Sequence, residues 1–457
     1  MIDASSNNSF FTFEEVAQSD ILPLNHVYPE SRLFAINKTG ASKSCQFKNI
    51  PIETCKFTDD LKIFRIYVLD FMDFNSCPSL DCKIGLAVRL VQLALFRTTK
   101  VETGTGLCFL SPSDNTEHLN VERLTIPMSA NEAAAKSPED LWSHVAKQLN
   151  IIFKDHCTKT KFLCFFAPFT HKGRSPKPVH LASGSLALFA FPNYRIWPTK
   201  LAQISETLSN VDCIHDSEDF SANRHTVWAN YSTSLGTILH EIGHCLDLDH
   251  SHAGIMRRGG DDINLVLAFP VSGERCKNGC SVNAKGIPGI SDWLTPRFVP
   301  LEQGPLHQIN PNADPYNLWA VCYSAYHFGS CLWGRYNTDI LAKHPWLYDF
   351  NHVSHSRQTL AAGFRFEGHI LSSVLPLHVV QVRLQESTIS NGNLTCSSNS
   401  VDPFVVWHQC FPDDQVVRQV NLKPLLPLPF LPCKVIVMDK IGTLLKRTLH
   451  QLNDLQS

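Results

Sequence analysis

Hydrophobic and polar positions along the chain change character three times. Up to about residue 60 they are mixed, with few periodic segments. From about 60 to 200 strand-like and helix-like patterns alternate. "LKIFRIYVLDF" (Leu61–Phe71) is rich in β-branched and aromatic residues and predicts a strand. "CKIGLAVRLVQLALFRTT" has apolar residues at helical spacing and predicts a helix. "SPEDLWSHVAKQL" predicts another, opened by Ser137-Pro138 with acidic residues in its first turn. "KFLCFFAPF" (Lys161–Phe169) and "GSLALFAF" (Gly184–Phe191) are buried strands, the second ended by Pro192. "YSTSLGTILHEIGHCLDL" predicts a helix with one apolar stripe of Leu235, Ile238, Leu239, Ile242 and Leu246, capped by Ser232 or Thr233.

From about 270 to 315 Gly, Pro and Asn predominate, as in a long irregular insertion. "YNLWAVCYSAYHFG" and "YNTDILAKH" suggest short helices. Beyond about 365, "HILSSVLPLHVVQVRLQES", "PFVVWHQCF", "QVVRQVNL" and "CKVIVMDKIGTLLKRTL" are strand-like runs between turn residues, a C-terminal all-β, sandwich-like domain. The expected organisation is an N-terminal segment (1–60), a catalytic domain (61–300), a helical extension (301–360) and a C-terminal β domain (361–457), α+β overall.

Composition narrows the function. The chain is 44% hydrophobic and 18% charged, a globular balance. Its 40 basic and 42 acidic residues nearly cancel, and no basic block marks a nucleic-acid partner. No apolar run reaches the roughly 18 residues that cross a bilayer, so no membrane partner is expected. The N-terminus lacks a basic start followed by an apolar core, so a cytoplasmic location is expected. The 16 cysteines are scattered and read mostly as reduced, buried, small hydrophobes. Cys276 and Cys280 form a lone pair and make a poor structural zinc site. Sequons at Asn7, Asn37, Asn230 and Asn393 matter only for a secreted protein.

The chemistry lies in "HEIGHCLDLDHSHAGIM", His240 to Met256. Residues four apart on a helix are rotated by about 40° and separated by about 6 Å, so His240 and His244 can reach one ion. Glu241 can face the same cleft. On a continuing helix His250 would be turned by about 240° and carried about 9 Å away. The helix must therefore end, and Asp247 is the turn residue expected in the left-handed conformation. Alternatively, its carboxylate holds a ligand histidine. Three neutral imidazoles suit one catalytic Zn²⁺ and leave a fourth position for water. Glu241 would act as general base on that zinc-bound water, and the implied reaction is hydrolysis of a peptide bond. His252 reads as a solvated imidazole close to the site. Cys245 reads as a core residue, and Asp261 and Asp262 as turn residues.

HExxHxxxxxH followed by a Met resembles the metzincin zinc peptidases. "GSLALFAFPNYRIWP", "GIMRRGGDDINLV" and, more weakly, "CLWGRYNTDILAKHPWL" resemble the intracellular zinc metalloproteases of fungi and invertebrates. The resemblance covers roughly residues 60 to 347. It implies a zincin-like fold, His240, His244 and His250 as zinc ligands, and Glu241 as general base. It also implies Met256 as the residue of a turn beneath the site, and "GSLALFAF" as the edge strand that pairs with an extended substrate. The metzincin pattern has Gly where this chain has Asp247. The resulting expectation is a zinc metalloendopeptidase acting on a peptide or protein substrate, its oligomeric state left open. The rival is a catalytically weak zinc-binding protein whose β domain mediates interactions.

Overall fold

The structure is a computed structural model. It describes residues 62–73, 77–112, 118–153, 159–166, 178–267 except 216–217, 222–223 and 252, 331–349, 363–384 except 368, 404–423 and 433–449, and two short strands at 34–36 and 42–44. The expected 270–315 insertion, the helix at 316–329, His252, Cys276 and Cys280 lie outside the described residues.

A five-stranded sheet organises the first half. Its strands are β1 (Ile63–Phe71), β2 (Val121–Ile126), β3 (Thr160–Phe166), β4 (Val179–Ser183) and β5 (Leu186–Ala190), in the order β2-β1-β3-β5-β4. Strands β2, β1, β3 and β5 run parallel, and β4 closes the edge antiparallel to β5. Both faces of the parallel part are covered, which is why β1 and β3 read as nearly unbroken apolar runs. Phe64, Ile66 and Val68 point into one core with helices α1 (Ser79–Thr103) and α3 (Val227–Cys245). Tyr67, Leu69 and Phe71 point into a second core with α2 (Pro138–Ile152). Ser137 caps α2, its side chain accepting from the Asp140 N–H, with Pro138 in the first turn, as the sequence suggests.

Two expectations are corrected here. "GSLALFAF" forms β5, paired on one side with β3 and on the other with β4. Among the described residues the edge strand on that side is Val179–Ser183. Helix α3 begins at Val227, after Thr226, five residues before Ser232. Ser232 and Thr233 are inside it and spend their hydroxyls on the segment that crosses it: Ser232 Oγ donates to Asp261 O (2.9 Å) and Thr233 Oγ1 to Asp261 Oδ1 (2.8 Å). Asp261 thus tethers a turn, the role expected of it.

After helix α4 (Arg335–Leu341), the described chain is β. Strands β6 (Phe364–Glu367), β7 (Ile370–Ser373) and β10 (Gln419–Asn421) form one sheet, in the order β6-β7-β10. Strands β8 (Leu377–Leu384), β9 (Val405–Cys410), β11 (Cys433–Asp439) and β12 (Leu444–Leu449) form another, in the order β9-β8-β11-β12. Leu371, Val380, Val382, Val435 and Val437 share a core between the two. The opposite face of the four-stranded sheet presents Val379, Ile436 and Met438, which join the main core around α1 and α3. This sheet therefore packs against a core on each face, and its alternate residues serve different cores.

Among the described residues no helix is long and apolar enough to cross a membrane. Eight described cysteines are free, and Cys213 is disulfide-bonded. Cys245 is buried in the main core, as expected. The sequon residue Asn230 is fully buried in α3, where a glycan has no room.

Helix α3 and the Gly259–Asp262 turn meet backbone to backbone. A Cβ on Gly236 would lie 2.0 Å from Gly260 O, so only glycine fits there. Gly236→Ala is expected to lower unfolding stability by about 1–3 kcal/mol through overpacking. Urea denaturation checks this, and an unchanged midpoint would show that the contact is not tight.

Candidate metal centre

The site is built at the end of α3. Its apolar face (Leu235, Ile238, Leu239, Ile242) is anchored in the main core. That anchoring leaves His240 and His244 on consecutive turns of the half-buried face. The helix stops in a Schellman motif: the Leu248 N–H donates to Gly243 O (3.0 Å) and the Asp247 N–H to His244 O (3.1 Å). Asp247 adopts φ 66°, the left-handed conformation the spacing requires. The chain then turns back and brings His250 alongside.

The potential ligand atoms of His240, His244 and His250 all lie within 4.8 Å of one another. His244 Nε2 is 3.2 Å from His250 Nε2. Backbone carbonyls fix two of the rings. His240 Nδ1 lies 2.7 Å from Ile255 O, and His244 Nδ1 lies 2.9 Å from Leu248 O. Carbonyls only accept, so each Nδ1 carries the proton and each Nε2 keeps its lone pair. Burial lowers the pKa of His240 to about 3 and that of His244 to about 4, so both are neutral near pH 7. The bare Nε2 lone pairs of His240 and His244 face the same space as His250. The donor set therefore fits a divalent ion that accepts nitrogen ligands, zinc among them.

Glu241 is 5% exposed. Burial pushes its carboxyl up to about 8, and the nearby Ala182 backbone only partly opposes that rise. A cation in the histidine cluster would draw it down again. Ala182 lies on edge strand β4, so the carboxylate sits against that edge. Met256 is fully buried beneath α3, and a Cβ on Gly243 would come within 2.4 Å of its sulfur. Gly243, between Glu241 and His244, therefore leaves room for Met256. Gly254, at φ 79°, lets the same loop pass close to Leu332 O.

The Asp247 carboxylate does not hold a ligand histidine. It lies 3.6 Å from Nε2 of the buried His344 and 3.5 Å from Lys446 Nζ. Burial tends to raise it, but His344, Lys446 and Lys161 override that and hold it well below the usual carboxylate range. Burial holds His344 itself down to about 4. Neither His344 nor Lys446 was legible as a site neighbour, because each is joined to the turn only by the tertiary fold.

The sequence profile described as the Putative peptidase family matches residues 118–285, the span that carries the three histidines and Glu241. The match supports a metallopeptidase. No curated protein matches. Among solved structures, catalytically inactive OgpA from Akkermansia muciniphila in complex with an O-glycopeptide (glycodrosocin) substrate is similar at 11% identity and TM-score 0.47, covering 85% of this chain and 92% of that one. Wild-type OgpA in another crystal is similar at 11% identity and TM-score 0.46, with the same coverage.

These groups set a pH dependence. Unfolded histidines bind protons near pH 6.5, whereas His240, His244 and His344 resist protonation until about 3 to 4 in the fold. The unfolded state therefore binds more protons across that window, and stability falls as pH falls through it. Asp247, with its depressed carboxyl, adds a further loss below about 3.8. Denaturation of the metal-free chain should show a lower midpoint at pH 5 than at pH 7.5; a flat profile would contradict the burial of these imidazoles in neutral form.

Proposed function

We propose that the chain is a zinc-dependent metalloendopeptidase of metzincin type, with His240, His244 and His250 as ligands and Glu241 as general base. The observation that carries this reading is the convergence of three half-buried imidazoles, two of them with Nδ1 on a backbone carbonyl, beside a buried carboxylate. When bound, zinc supplies Lewis acidity for the scissile carbonyl and lowers the pKa of adjacent water. The rest falls to the chain. The Glu241 carboxylate takes a proton from the attacking water and returns it to the leaving amine. The Ala182 backbone lies against that carboxylate.

Among the described residues strand β4 is one edge of the sheet, so an extended peptide can add to it as a further strand. A peptide laid there runs past Glu241, because Ala182 belongs to the same strand. This supports a peptide or protein substrate. We read residues 61–300 as the zincin-like catalytic domain, 301–360 as its extension and 361–457 as the β domain. A cytoplasmic location rests on the sequence, and the Cys213 disulfide, a feature of oxidising compartments, weighs against it.

Two variants test the assignment. Glu241→Gln should keep zinc and fold while losing about 10²–10⁴ in hydrolysis of a peptide library. His244→Ala should lose the metal itself, read by elemental analysis. Near-normal turnover of the first variant would remove Glu241 from the mechanism. Full metal content in the second would remove His244 from the ligand set.

A further inference from the structure

The two helical histidines and the third are held by different means. His240 and His244 stand on α3, whose own hydrogen bonds fix them. His250 stands on the turn beyond it, flanked by two carboxylates, Asp247 and Asp249. That turn is covered by the four-stranded sheet more than 130 residues further along the chain. In the sheet register Arg383 on β8 pairs with Lys434 on β11, and Lys446 on β12 pairs with Ile436, two residues beyond Lys434 on the same face. Arg383, Lys434 and Lys446 therefore share the face that presents Val379, Ile436 and Met438 to the main core.

Each of these cations meets the turn. Lys434 Nζ lies 2.8 and 2.9 Å from the two Asp249 oxygens. Lys446 Nζ lies 3.5 Å from Asp247 and 4.0 Å from Asp249. An Arg383 Nη2 N–H donates to the backbone carbonyl of His250 itself. Arg383 is 2% exposed, and its other nitrogen lies 3.4 Å from Gln381 Oε1. Gln381 donates to His408 Nδ1 (3.2 Å), and His408 Nε2 donates to Asp339 on α4 (2.7 Å). A buried chain of polar side chains thus runs from the His250 carbonyl to α4.

We infer that the C-terminal four-stranded sheet is an integral part of the metal centre, with Arg383, Lys434 and Lys446 as positioning residues that hold His250 in place as third ligand. The inference rests on the zinc reading above. A buried arginine is costly to desolvate and stays favourable only where its partners are met, so its place beside Lys434 and Lys446 on this face marks the point where the turn docks. A loop ligand held this way keeps its geometry without a helix of its own, as outer partners do for metal ligands generally.

The test measures zinc affinity of the full-length chain by chelator competition, with the visible spectrum of the Co²⁺-substituted protein as a second reading. Arg383→Met and Lys434→Asp should each weaken zinc binding by about 10–100-fold and alter the Co²⁺ spectrum, with the circular dichroism of the helices retained. The charge swap Lys434→Asp with Asp249→Lys should recover most of the affinity lost by Lys434→Asp alone. Single variants that bind zinc as tightly as wild type, or a swap that recovers nothing, overturn the inference. A wild-type chain that binds no zinc overturns the metal reading, and this inference with it. A wild type that binds zinc beside variants that bind it equally well overturns this inference alone.

Discussion

The site depends on one backbone reversal. A helix can offer two ligands to an ion from consecutive turns, but a third, six residues on, lies on the wrong side unless the helix ends. Asp247 ends it, in a left-handed conformation closed by the Leu248 to Gly243 and Asp247 to His244 hydrogen bonds. Only glycine takes that conformation freely; Asn and Asp are the side chains that tolerate it best. In exchange for some backbone strain, this chain gains a carboxylate at the turn. That carboxylate reaches Lys446 and His344, so the reversal is tied to the C-terminal sheet and to the segment after α4.

The rest of the architecture serves to hold that turn still. The five-stranded sheet and α1 bury the apolar face of α3 and fix where His240 and His244 point. The Ile255 carbonyl orients His240, and the Ile255 N–H is itself bonded to Leu332 O. Trp333, next in the chain, packs close to Gly243, and its backbone N–H donates to Glu102 on α1. The loop after the third histidine is thereby fixed from below by the same segment that leads into α4. Edge strand β4 closes the other side, with the Ala182 backbone against Glu241.

Much of this was legible from spacing. The convergence of His240, His244 and His250 follows from helical spacing, and so does the need for Asp247 to turn left-handed. The placement of Cys245 in the core and the capping of α2 by Ser137 follow from local pattern. Three things were not legible. The edge strand is hidden in the sequence because "GSLALFAF" is a continuous apolar run, the mark of a strand with neighbours on both sides, whereas "VHLAS" is short and half-polar. The start of α3 is hidden because Ser232 and Thr233 look like caps, while their hydroxyls serve a turn 29 and 28 residues away. The cations around the turn leave no local signature: Arg383 reads as one charge in a strand, and only the folded register aligns it with Lys434 and Lys446.

The most direct test of the central claim is zinc K-edge X-ray absorption on the purified full-length chain. Three imidazole ligands predict nitrogen scatterers at about 2.0–2.1 Å with the outer-shell pattern of three rings, joined by one oxygen at a similar distance. A sulfur shell at about 2.3 Å, or fewer than three imidazoles, would contradict it.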